Sequence, residues 1–142
     1  MNKEEFVRFV ENLTLCENEG HAINEHINKT CRQLKDRIIN EKVPKASAFF
    51  KDFNVLSAIK TLLLEDYTVN YCLSMINNDS KGNIVYVDDI YDQPIGFGFK
   101  RNGHDWEKGV RFSYSIMIIL RRTYKEKDYG VEFVTAYPIL EN

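Results

Sequence analysis

The order of its hydrophobic periodicities constrains this chain more than any other feature. Helical spacing fills the first half, and runs of β-branched and aromatic residues fill the second. From Lys3 to Leu15, the residues Phe6, Val7, Phe9, Val10 and Leu13 share one broad helical face. A polar break follows at Glu17-Asn18-Glu19-Gly20, and His21 to Ile27 reads as a short helix ending near Asn28-Lys29. Thr30 suits an N-cap, because its hydroxyl can accept from a backbone N–H left open by the first turn. Cys31, Leu34 and Ile38 then recur at helical spacing, and Pro44 closes the unit. Asp52 is expected to cap a helix reaching Leu64, with Val55, Leu56, Ile59, Leu62 and Leu63 as its apolar face. A further helix from Asp66 to Asn77 presents Val69, Cys72, Leu73 and Ile76, and Asn77-Asn78-Asp79-Ser80-Lys81-Gly82 is a turn signal.

Strand signals take over from there, at Ile84 to Val87, Ile95 to Phe99, Val110 to Leu120 and Tyr129 to Tyr137. Helices first and strands second predict an α+β fold with an antiparallel sheet rather than alternating βαβ units. A chain of 142 residues with 44% hydrophobic residues can bury one core of its own, so a single domain over residues 1–142 is expected. Three cysteines, Cys16, Cys31 and Cys72, are an odd number at wide spacings. They form neither a disulfide framework nor paired metal knuckles, and read as reduced thiols of a protein acting in a cytoplasm. The longest apolar run, Ser115 to Leu120, has strand length and stops at Arg121-Arg122, short of the roughly 18 residues that span a bilayer. Met-Asn-Lys-Glu-Glu at the N-terminus has no signal-peptide character, so delivery to another cell would fall to something outside this chain.

The formal net charge of −2 argues at first against a nucleic-acid partner, but its distribution is uneven. Lys100 to Lys127 holds eight Lys or Arg against three acids, a local +5 that leaves −7 for the rest. Such a window fits a phosphate-binding face or a solvated charge run.

Four local features bear on chemistry. Gly20-His21 is followed by His26 five residues on. On an ideal α-helix those rings diverge by about 140°, which suits no shared metal, and no HExxH pattern or paired acidic cluster is present. Arg32 comes eleven residues after His21, about 16 Å away on one continuous helix. The break at Asn28-Lys29-Thr30 lets the chain fold back, so both side chains can reach one cleft. The alternative for Arg32 is an ordinary exposed helix residue. Thr135-Ala136-Tyr137-Pro138 is the third feature: on a strand, Thr135 and Tyr137 present two hydroxyls to one side. They can equally be part of a half-buried sheet surface. The fourth, Gly96-Phe97-Gly98, lacks the length of a phosphate loop and fits a bulge or a close backbone approach.

Taken together, Gly20-His21 with His26, Lys29-Thr30, Arg32 and Leu34, and at the other end Thr135-Ala136-Tyr137-Pro138, resemble the bacterial ribonuclease A-like toxin domains. Pro44-Lys45-Ala46-Ser47-Ala48-Phe49 and Ile95-Gly96-Phe97-Gly98 also match landmarks of those domains. The resemblance covers about residues 20–140 and leaves 1–19 as an N-terminal helical extension. Asn28 stands where such domains more usually have Gly. The resemblance implies a ribonuclease A-like fold without disulfides, found at the C-termini of contact-dependent growth inhibition proteins and related toxins. It further implies an active site of His21, Arg32, Thr135 and Tyr137, no cofactor or metal, RNA as substrate, a cognate immunity protein as partner, and action in the cytoplasm of a target cell.

The residues suit that reaction. Metal-free RNA cleavage needs a base for the ribose 2′-OH, an acid for the departing 5′-oxygen, and donors for the charge that develops on the phosphorane. His21 titrates near neutrality and can serve as base or acid. Arg32 can hold the phosphorane by bidentate hydrogen bonds, Thr135 can donate one more, and Tyr137 can protonate or orient an oxygen. DNA lacks the attacking hydroxyl and is not expected to be cut. His26 is expected to be structural or peripheral. The alternative reading of the whole chain is a non-catalytic RNA-binding or protein-interaction module on the same fold.

Overall fold

The protein is described by a computed structural model covering residues 1–15, 21–78, 84–125 and 128–141. The polar break at residues 16–20, with Cys16, and most of the turn after Asn78 lie outside the described residues. Helices α1 (Lys3–Glu11), α2 (Cys31–Asn40), α3 (Val55–Leu63) and α4 (Asp66–Asn77) form, with a 3-10 helix at His21–His26. The strands are β1 (Lys45–Phe49), β2 (Ile84–Ile90), β3 (Gly96–Asn102), β4 (Asp105–Trp106), β5 (Arg111–Ser113), β6 (Ser115–Lys125) and β7 (Asp128–Ile139). The expected α+β class is therefore the observed one. Cys31 and Cys72 are free thiols.

The chain divides into two compact units. The first comprises Met1–His21, Asn54–Val87 and Ile118–Thr135. Here α1 turns Phe6 and Val10 inward, as their spacing dictates, and both are fully buried with Ile59, Leu63, Val69, Cys72 and Ile76. Asn2 caps α1 in a reciprocal box with Glu5, and Asn54, not the expected Asp52, caps α3 through the backbone N–H of Ser57. Arg122 is buried in this unit and donates to the carbonyls of Ile76 and Asn78, where α4 ends. The last turn of a helix leaves carbonyls without intrahelical donors, and this guanidinium satisfies that of Ile76 together with that of the C-cap Asn78.

The second unit comprises Ala22–Phe53, Asp88–Met117 and Ala136–Asn142. Its sheet is built on β3, which pairs antiparallel with β1, β4 and β5. Helix α2 lays Leu34 and Ile38 against Ala46, Ala48 and Phe99, and Val43, Phe97 and Trp106 pack around that cluster. Thr30 caps α2 as expected, in a reciprocal box with Gln33. The helix stops at Asn40, and Lys42 takes a left-handed φ of 57° just beyond it.

Sequence and structure differ in particular places. Strand β1 occupies the segment after Pro44, where periodicity pointed to no element: four of its five residues are buried, so the alternation that marks a strand is missing. The expected strand from Val110 to Leu120 is two strands. Ser113 Oγ donates to the Ser115 carbonyl at 2.9 Å and accepts from Ser115 N at 3.3 Å, a local closure that breaks the ladder at Tyr114. A second set of strands is ordered β2-β6-β7, with β7 at its edge among the described residues. Pro138 lacks a backbone donor, and an edge strand tolerates that.

Candidate active site

The 3-10 helix His21–His26 carries both histidines of the first motif, the first at its start and the second at its end. His26 Nδ1 lies 2.7 Å from the carbonyl oxygen of Ser47 on β1. A carbonyl can only accept, so Nδ1 carries the proton and Nε2 keeps its lone pair in the neutral ring. Half-burial lowers the His26 pKa from 6.5. Loss of hydration is the largest cause; the Ser47 bond opposes it, and Arg37 and Glu25 act in opposite directions as lesser charges. Arg37 on α2 also reaches Glu25 of the 3-10 helix at 3.3 Å and Glu41 at 3.0 Å. The 3-10 helix is thus held to α2 by an ion pair and to β1 by an imidazole.

Ser47 works in a second direction. Its hydroxyl, buried, donates to the carbonyl of Pro138 at 2.9 Å. The next residue back along β7 is Tyr137, half-buried, and its ring centroid is 5.7 Å from that of His26 at an interplanar angle of 36°. That separation lies inside the range of favourable ring contacts. Gly96 and Gly98 explain how the end of β7 comes so near β3. A Cβ on Gly96 would stand 2.5 Å from the Ala48 oxygen and 2.8 Å from Cβ of Pro138. A Cβ on Gly98 would overlap the Ala46 oxygen and stand 2.9 Å from Cδ1 of Leu140. Of the two readings of Gly-Phe-Gly, close backbone approach is the one that applies, with chain rather than phosphate as the neighbour.

The four residues singled out by sequence fall as follows. His21 opens the 3-10 helix, and its side chain lies outside what the structure describes. Arg32 sits in the first turn of α2 with its side chain 81% exposed, 3.3 Å from Asp36 one turn on. Its guanidinium is accessible to an anion, which would compete with Asp36 for it. Thr135 is buried on β7, and Tyr137 follows two residues later, so alternation gives both the same strand face. His26 is the residue whose neighbourhood sequence did not reveal: the helical argument compared it only with His21, whereas its contacts are to β1 and β7.

The basic window proves less of a free field than its charge suggests. Arg122 is buried, Arg111 pairs with Glu107 at 2.7 Å, and Arg121 pairs with Glu132 at 3.3 Å. Arg101 donates to the carbonyls of Lys42 and Gly103. Much of the window serves structure.

A family model described as "Bacterial CdiA-CT RNAse A domain" matches residues 20–138, more than four fifths of the chain, from Gly20 to Pro138. The chain belongs to the bacterial CdiA-CT RNase A domain family. Both ends of the match coincide with the motifs that carried the resemblance, Gly20-His21 and Thr135-Ala136-Tyr137-Pro138. Among solved structures, this CdiA-CT RNase A domain is similar to a chain of the CdiA-CT/CdiI complex from Y. kristensenii 33638. The two share 23% identity and a TM-score of 0.68, over 84% of this chain and 99% of the other, so the fold is common to both. No curated protein matches the chain. Among the described residues, no helix is long and apolar enough to cross a membrane.

Proposed function

We propose that this domain is a metal-independent endoribonuclease toxin that uses the 2′-hydroxyl of RNA to cleave the adjoining phosphodiester, leaving a 2′,3′-cyclic phosphate. The observation that carries this is membership of the CdiA-CT RNase A domain family over a span containing His21, Arg32, Thr135 and Tyr137. In the proposed reaction, His21 exchanges the proton at the 2′-oxygen or the leaving 5′-oxygen, since an imidazole alone in this set titrates near pH 7. Arg32, released from Asp36, binds the phosphorane oxygens, where negative charge grows as the new P–O bond forms. Thr135 adds a neutral donor. Tyr137 orients an oxygen, or gives up its proton where Arg32 lowers its pKa.

The similar structure is a complex of CdiA-CT with CdiI, and we assign this chain a partner of the same kind, a cognate immunity protein that silences the domain where it is made. Delivery into a target cell by a larger protein follows from the same reading, with RNA there as the substrate.

The experiment is cleavage of total RNA by purified protein and by His21→Ala. Loss of cleavage in a variant whose circular dichroism is unchanged supports the enzyme. Undiminished cleavage by His21→Ala removes His21 from the mechanism, and RNA binding without cleavage by the unmodified chain points to a binding module.

A further inference from the structure

The reaction as proposed uses His21, and His26 at the other end of the same 3-10 helix has a built setting of its own. His26 is fastened through Nδ1 to the carbonyl of Ser47, and the same serine's hydroxyl holds the carbonyl of Pro138. Between these two attachments lies the tilted contact of the His26 and Tyr137 rings. Tyr137 thus has its backbone neighbour fixed by one end of Ser47 and its ring bounded by a histidine fixed at the other.

We propose that His26 is a positioning residue for Tyr137: with Ser47 it forms a clip that sets the angle of the phenol ring at the end of β7. A phenol turns freely about two side-chain torsions, and each error of about an ångström in placing a reacting group is costly to turnover. A ring held on one side by an imidazole has fewer orientations to lose on reaching the transition state. The imidazole suits this task better than an aliphatic residue because its Nδ1–H locks its own plane. Burial favours the neutral ring, which keeps the Nδ1–H tautomer and puts no second cation beside Arg37. Among the described residues, Glu25 and Arg37 are the other charged groups facing His26, and their mutual ion pair leaves neither charge alone near the ring.

The inference rests on the ribonuclease reading for its kinetic arm, and a second arm is independent of it. The first experiment measures kcat and KM on a short RNA for the unmodified chain, His26→Asn, Tyr137→Phe and the double variant. Asn can present an amide N–H near the place of Nδ1, so the attachment to Ser47 survives while the ring is lost. We expect His26→Asn to lower kcat about tenfold with KM changed less than about twofold. We also expect Tyr137→Phe to cost far less in the His26→Asn background than alone, because the two act as one unit. Losses that simply multiply would overturn the clip. The second experiment follows ring flipping of Tyr137 by NMR of selectively labelled protein. Slow flipping that becomes fast in His26→Asn supports the clip, and an unchanged rate overturns it. A chain that cuts no RNA but shows the change in flipping would defeat the ribonuclease reading while leaving the positioning intact.

Discussion

Asn28 has a φ of 55°, in the left-handed region that β-carbon sterics close to most residues. Asn is among the side chains that best tolerate such a turn. The turn joins the helix of His26 to the Thr30 cap of α2. His26 itself has a consequence for stability. Its folded pKa lies below the unfolded 6.5, so between those values the unfolded chain binds more protons. Stability from this residue is complete above about pH 6.5 and is lost as pH falls through the folded pKa. Urea unfolding at pH 7 and pH 5.5 should show the native protein weaker at the lower pH, and His26→Asn should show a smaller difference between the two. An equal difference in both proteins would remove His26 from the acid response. Cys72 shows what burial alone does to a thiol: desolvation pushes it up to about 12, so it stays protonated inside the first unit.

Elements with one buried face were legible, and those defined by long-range contacts were not. Helices α1, α2 and α4 follow from apolar spacing, and the Thr30 cap follows from hydroxyl chemistry. Strand β1 is buried along nearly its whole length, so its sequence carries no period, and two-residue β4 is too short to carry one. The Ser113 kink divides an apolar run that reads as continuous because the hydroxyl's partners are backbone atoms two residues on. Of the proposed site, the motifs suggest His21, Arg32, Thr135 and Tyr137, whereas the contacts of Ser47 with His26 and Pro138 join elements far apart in the chain and have no sequence signature. The glycines of β3 provide the test at this scale. Gly96→Ala places a methyl group against the Ala48 carbonyl and Pro138, and should cost about 1–3 kcal/mol in chemical denaturation. Since Pro138 adjoins Tyr137, turnover of the folded fraction should fall as well. A stability equal to the unmodified protein would show that β7 does not depend on this close approach.

Across the whole molecule, the sign of the net charge misleads in both directions. The total of −2 conceals a basic window, and the window in turn conceals arginines engaged with backbone carbonyls and with Glu107 and Glu132. RNA recognition in this account therefore depends on a few placed groups, foremost the accessible Arg32, more than on a broad cationic surface. What the four-residue set demands of the substrate is a 2′-hydroxyl next to the phosphate, because no other nucleophile is provided by the reaction proposed. The decisive measurement is the chemistry of the product ends after incubation of RNA in excess EDTA, beside a matched oligonucleotide with a single 2′-deoxy residue at the cleaved step. We expect 2′,3′-cyclic phosphate ends from the RNA and an intact bond at the deoxy position. Cleavage that appears only on adding Mg²⁺ or Zn²⁺, or that proceeds at the deoxy step, would contradict it.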